Sequence, residues 1–204
     1  MRVFLHGGGA FDLTAQGAVS VDFGAVFTHL ARINRFNGAT SRPVSVLEHS
    51  LAVASILPDH LRLAGLLHDA HEALIGDIAV PVQEMLEADL PGFGRSLQAL
   101  RDRLDLVIAL AAVRLAAPIA PPAQALVLAR LFAGGSVLSA DLAAREMEIA
   151  LFIRGEDRRA DYRVLPELYQ RAAPGERGMV EGACVLLERL AARDYGLRRE
   201  VDLS

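Results

Sequence analysis

The sequence contains no lysine: all 21 of its basic residues are arginine. A Schiff-base lysine and the lysine of a phosphate-binding loop are therefore excluded outright. A single cysteine, Cys184, rules out an internal disulfide and any metal site made of several thiolates. Tryptophan is absent and aromatic residues make up 5% of the chain, whereas apolar residues make up 52%, chiefly Ala, Leu and Val. That balance favours helices over a β-sandwich. Excess positive charge is missing too, with a net charge of −4 and an isoelectric point near 5.9. A nucleic-acid surface, which needs clustered cations, is not expected. The N-terminus MRVFLHGGGAFDL has no long apolar core of a secretory signal. The longest mid-chain apolar stretch, Leu104 to Pro118, is interrupted by Asp105 and Arg114. It falls short of the roughly 20 residues of a membrane span. The expectation is a soluble, cytoplasmic protein with no membrane and no nucleic-acid partner.

What is present suits one domain covering 1–204, all-α with a small N-terminal β-hairpin at 2–13. In that hairpin Val3, Phe4 and Leu5 lead into Gly7, Gly8 and Gly9, and Phe11 and Leu13 follow. Asp22 can cap a helix to about Ile33. A loop over 34–44 follows, and Ser45 and Glu48 form a capping-box pattern that opens a helix to about Leu57. Pro58-Asp59 restart the chain into a third helix that ends near Gly76, and Pro81 opens a short helix toward Leu90. Longer helices are expected over 95–116, after Pro121-Pro122 to about Phe132, and from about Ser136 to Arg154. A C-terminal tail over 155–204 carries further helices near 165–172 and 178–194.

The chemistry is concentrated early, since all six histidines lie within the first 71 residues. His49 is mid-helix. His68 and Asp69 form a doublet after the apolar run Ala64-Gly65-Leu66-Leu67. A carboxylate buried there needs a partner, and a cation satisfies imidazole and carboxylate together. Two antiparallel helices joined at Pro58 would bring His49 and His68 level, because nine residues separate the first from the proline and ten the second. Imidazole with carboxylate suits one divalent transition metal: Mn, Co, Fe, Ni or Zn, with Mg also open. Glu72 shares a helix face with His68 and Asp69, and Asp77 follows Gly76. These are more acids than one metal requires. Surplus acids beside a metal serve the proton transfers of hydrolysis.

The residues His49, His68-Asp69 and Asp141 resemble the H…HD…D signature of the HD-domain phosphohydrolase superfamily. The runs INRFNGATSRPVSVLEHSLAVA and LLHDAHEALIGDIAVPV are similar to its nucleotidase-like branch, which includes bacterial 5′-deoxynucleotidases and phage-associated hydrolases. The strong likeness covers about Asn34 to Val82 and the weaker one extends through Leu151. It implies an HD-type helical bundle with a metal core over about 22–154. It also implies metal ligands at His49, His68, Asp69 and Asp141 and catalytic carboxylates at Glu72 and Asp77. Arg35-Phe36 stands where related deoxynucleotidases place Arg-Trp, and implies contacts to phosphate and sugar. The implied reaction is hydrolysis of a nucleoside 5′-monophosphate of the deoxy type, with a small nucleotide as partner and a homodimer left open.

Other readings stay beside this one. Asp141 could pair with Arg145 on its own helix, in which case Asp157 or Asp161 would substitute. His71 reads as helix surface or as a group behind the ligands, His6, His29 and His60 as structural, and Cys184 as a small buried residue. Nucleoside triphosphates, cyclic nucleotides and guanosine polyphosphates are rival substrates, with Arg32 and Arg42 available as extra cations. A non-catalytic nucleotide-binding regulatory module and a two-iron oxygenase are rivals of other classes.

Overall fold

Helix α1, Phe23–Arg32, starts where Asp22 accepts a hydrogen bond from the Ala25 N–H at 3.0 Å. It buries Phe23, Val26, Phe27 and Leu30 as one stripe. In the computed structural model, residues 2–4, 7, 10–12, 20–119, 122–156 and 175–196 are described. His6, Asp157, Asp161 and the helix expected near 165–172 lie outside them. Strands β1, Arg2–Phe4, and β2, Ala10–Asp12, pair antiparallel with Val3 opposite Phe11. Residues 5–9 between them are largely outside the described set, so the expected turn is not seen. Phe11 is buried with Ala25, Leu74 and Leu104. The remainder of the described chain is helical or loop, an all-α architecture.

Helix α2, Val46–Ile56, is the central element and packs against α1 and three helices defined below. Ser45 caps it by accepting the Glu48 N–H at 3.1 Å. The Glu48 carboxylate is engaged by Arg42 at 2.9 Å. Apolar residues run all round α2, as suits a helix with no solvent face. His49 and Ser50 are both fully enclosed in it.

The expected third helix is two. Helix α3, Arg62–Leu67, ends at a tight turn over 68–71, and α4, Glu72–Ile75, follows. The His68 ring donates its Nδ1 N–H to the Gly65 carbonyl at 2.9 Å. In a continuing α-helix that carbonyl would serve the Asp69 N–H. The backbone tightens instead to three-residue spacing, with Ala70 N–H on Leu67 O at 3.0 Å and Glu72 N–H on Asp69 O at 2.9 Å. Gly76, at φ +81°, closes α4 and returns its N–H to Glu72 O at 2.8 Å.

Helices α5, Val80–Asp89, and α6, Phe93–Ala116, come next, then α7, Pro122–Phe132, and α8, Gly135–Glu148. The helix expected to reach Arg154 gives way after Glu148 to a wider π turn, Ile149–Ile153, where Arg154 N–H reaches Ile149 O at 2.9 Å. Helix α9, Glu176–Tyr195, packs on α1, α6, α3 and α2. By length and composition Pro122–Ile153 would suffice to cross a membrane. It is broken at Gly134, and Leu128, Phe132, Val137 and Ala144 lie in the common core.

Gly65 sets the approach of α2 and α3. A Cβ there would meet Leu57 Cδ1 at 2.5 Å and the Ala54 backbone at 3.1 Å. Backbone cannot yield as a flexible side chain can. Gly65→Ala is therefore expected to overpack the junction at a cost of about 1–3 kcal/mol. Thermal unfolding should shift down by roughly 5 °C; an unchanged midpoint would show that the helices part without strain.

Candidate metal centre

The fully buried His49 has both ring nitrogens engaged. Its Nδ1 lies 2.9 Å from Glu148 Oε1 and its Nε2 lies 2.9 Å from Asp141 Oδ1. Both partners are carboxylates and accept only; with a cation on the Nε2 side, Glu148 would take the Nδ1–H and Nε2 would present its lone pair. His68 is oriented in the same sense. Its Nδ1–H goes to the Gly65 carbonyl, and its buried Nε2 makes no hydrogen bond, although Asp69 Oδ2 is 3.1 Å away. The His49 and His68 rings lie 5.5 Å apart between centroids. The turn after α3 thus carries His68 and Asp69 to the face of α2 that bears His49, and α8 delivers Asp141 from the other side.

One ligand atom each from His49, His68 and Asp141 falls within a 4.8 Å cluster. Asp69 Oδ2 adds a fourth, 3.8 Å from His49 Nε2. The spacing fits a cation: ligands about 2.1 Å from a metal and at right angles are about 3 Å apart. The contacts of 2.9 and 3.1 Å match that edge. The chemistry fits as well, since two imidazoles and two carboxylates are a donor set suited to a divalent transition metal. These side chains could hold a divalent cation.

The electrostatics agree. Burial alone would raise the Asp69 carboxyl, but His68, His49 and Arg35 hold it far below the usual carboxylate range. Burial likewise opposes charge on Asp141, and the hydrogen bond from His49 still keeps its pKa low. Glu72 goes the other way: burial, with Asp69 and Asp77 nearby, pushes it up to about 9. Such a group carries a proton or faces a cation. Burial also raises Asp77, which lies in the field of Arg35, Asp69 and His49.

Arg35 enters from a strained loop. Phe36 and Asn37 both take left-handed backbone angles, φ +55° and +51°, which L residues adopt at a cost. The loop is pinned at its base, where Arg35 N–H reaches Val44 O at 2.9 Å, and at its far side, where Ser41 N–H reaches Phe152 O at 2.7 Å. So held, Arg35 is buried with Nε on Glu148 Oε2 at 3.0 Å and Nη1 3.7 Å from Asp69 Oδ2. The half-buried Phe36 ring lies 5.4 Å from the Arg35 guanidinium. Arg32 and Arg42, available in the sequence as extra cations, pair with Glu176 and Glu48. His29 contacts the Ala73 carbonyl at 3.1 Å, and His60 is exposed.

Three site residues were not foreseen. Glu148, with no exposed surface, joins His49 to Arg35. It lies two helical turns after Asp141, the spacing of one helix face, and is followed by the apolar run Ile149-Ala150-Leu151. Asp105, the residue that interrupts the apolar stretch of α6, takes the His71 Nδ1–H at 2.9 Å. His71 is thereby buried rather than on a helix surface. Arg101 on α6 exerts a field at Glu72 and Asp77 that partly opposes the rise of both, and its Nε is buried without a hydrogen-bond partner.

No family model matches the chain. Over 149 residues it is 30% identical to an uncharacterized protein of Rhodobacter capsulatus, an alignment covering 69% of each sequence. The chain belongs to the same family as that Rhodobacter capsulatus protein.

Proposed function

We propose that this protein is a divalent-metal-dependent phosphohydrolase of the HD-domain type, acting on deoxynucleoside 5′-monophosphates in the cytoplasm. The observation that carries the reading is the meeting of His49, His68, Asp69 and Asp141 from three separate elements, with both imidazoles oriented to present Nε2. Their order along the chain and the surrounding helical frame agree with the resemblance in the sequence. A bound divalent cation, with Mn, Co, Fe, Ni, Zn or Mg as candidates, would lower the pKa of water and neutralise phosphoryl charge. His49 and His68 would hold it through Nε2, and Asp69 and Asp141 through one carboxylate oxygen each.

The other residues bind and move protons. Glu148 holds the Nε edge of Arg35, and its Nη groups, of which Nη1 lies 3.7 Å from Asp69 Oδ2, would receive phosphate oxygens. Phe36 steadies that guanidinium and would face the sugar. Glu72 and Asp77 share the proton transfers: one accepts a proton from the attacking water and the other returns one to the leaving 5′-alkoxide. Asp77→Asn tests this division. It should lower turnover by roughly a hundredfold or more while leaving metal content unchanged; loss of metal together with activity would make Asp77 a ligand.

The reading itself is tested by phosphate release from a nucleotide panel. Purified protein is stripped and reloaded with Mn²⁺, Co²⁺, Ni²⁺, Zn²⁺ or Mg²⁺. Release from deoxynucleoside monophosphates is expected. Release only from triphosphates, cyclic nucleotides or guanosine polyphosphates would replace the substrate. No release with any metal would replace the enzyme with a binding module.

A further inference from the structure

The arginines near the site differ in how they are held. Arg32 and Arg42 are paired with Glu176 and Glu48. Arg35 is shared between two carboxylates, with Nε on Glu148 at 3.0 Å and Nη1 3.7 Å from Asp69. Arg101 has no such carboxylate in ion-pair contact among the described residues, and its Nε is buried without a hydrogen bond. A donor on a permanent charge, left alone inside a protein, is costly. An acceptor that arrives with a ligand removes the cost.

Helix register brings that charge to the site. Arg101 stands one turn before Asp105 on the same side of α6, and Asp105 accepts the Nδ1–H of His71, the neighbour of Glu72, at 2.9 Å. Leu104 of α6 is buried with Leu74 of α4, and Leu100 and Ile75 pack against the same cluster. The field of Arg101 is felt at Glu72 and Asp77, the two acids that also interact with Arg35. One pair of proton-transfer acids is thus flanked by two guanidiniums, one from the loop after α1 and one from α6. A phosphate monoester brings up to two negative charges into this acid-rich pocket, and Arg35 already answers to two carboxylates. We propose that Arg101 is a second phosphate-binding residue, which meets the phosphoryl group of the substrate from α6 while Arg35 meets it from the loop. This deepens the phosphohydrolase reading and rests on it for the substrate. The donors of a guanidinium match phosphate oxygens in geometry as well as charge, and Glu72 and Asp77 keep their part in moving protons.

The test measures affinity for inorganic phosphate. Full-length protein loaded with Mn²⁺ is titrated with phosphate by calorimetry, as wild type, Arg101→Gln and Arg101→Lys. Arg101→Gln should bind phosphate roughly 10–100-fold more weakly, the scale of losing hydrogen bonds to a charged group. Arg101→Lys keeps the charge without the fork and should fall between the two. In turnover of a deoxynucleoside monophosphate, KM should rise in the same order. Metal content and circular dichroism should stay at wild-type values, which separates a lost contact from a damaged fold. Phosphate affinity within twofold of wild type in Arg101→Gln would overturn the proposal, and so would loss of metal in both variants. The two readings fail separately. Phosphate release by a chain whose phosphate affinity ignores Arg101 keeps the phosphohydrolase and removes the contact. Phosphate bound through Arg101, without release from any nucleotide, keeps the contact and removes the reaction.

Discussion

Replacing His68 with alanine should lower phosphate release by roughly a thousandfold, the scale of losing a main electrostatic stabiliser, and should remove the bound metal ion. The reason is local. His68 stands on the turn between α3 and α4, with Nδ1 committed to the Gly65 carbonyl. Its Nε2 is buried among acids with no hydrogen bond of its own. That nitrogen lies 3.1 Å from Asp69 Oδ2, and its loss leaves Asp69, His49 and Asp141 as an incomplete shell. Metal content by plasma mass spectrometry and phosphate release by colorimetry, each on protein of wild-type helicity, give the result. A variant that keeps both metal and turnover would remove His68 from the site and the hydrolase reading with it.

Glu148→Ala is expected to have the largest combined effect on stability and metal binding. Glu148 is fully enclosed and joins two groups, His49 Nδ1 at 2.9 Å and Arg35 Nε at 3.0 Å. Truncation leaves a buried guanidinium short of its partner, a loss of about 3–5 kcal/mol. It also frees the His49 ring, and loss of such an orienting carboxylate weakens metal affinity by about 10–100-fold. The melting temperature should fall by about 10 °C or more. Glu148→Gln keeps an acceptor for the His49 N–H but not the charge that Arg35 needs. It should therefore fall between wild type and alanine in stability while holding metal better than alanine. A Glu148→Ala protein that melts within a degree of wild type, with unaltered Mn²⁺ affinity, would show that His49 is oriented by something else.

These two residues differ in how far the sequence exposes them. His68 and Asp69 stand out because polar groups follow an apolar run, and the distances of His49 and His68 from Pro58 place them level across a helical hairpin. Glu148 bears on His49 only because α8 packs against α2, ninety-nine residues apart in the chain. Asp105 likewise reaches His71 across α6. The break after Leu67 has no proline or central glycine to announce it. It arises from a side-chain hydrogen bond to Gly65, and Gly65 in turn is held by the closeness of Ala54.

Local composition alone determined most of the helices, because caps, apolar stripes and proline starts act over a few residues: Asp22 and Ser45 cap where expected. It also marked the histidines and acids as an unusual cluster. Only the tertiary structure decided which of them meet, which nitrogen each imidazole presents, and that Arg35 is drawn inward by Glu148. Those features depend on helix rotation and on packing between distant segments, and a one-dimensional pattern carries neither.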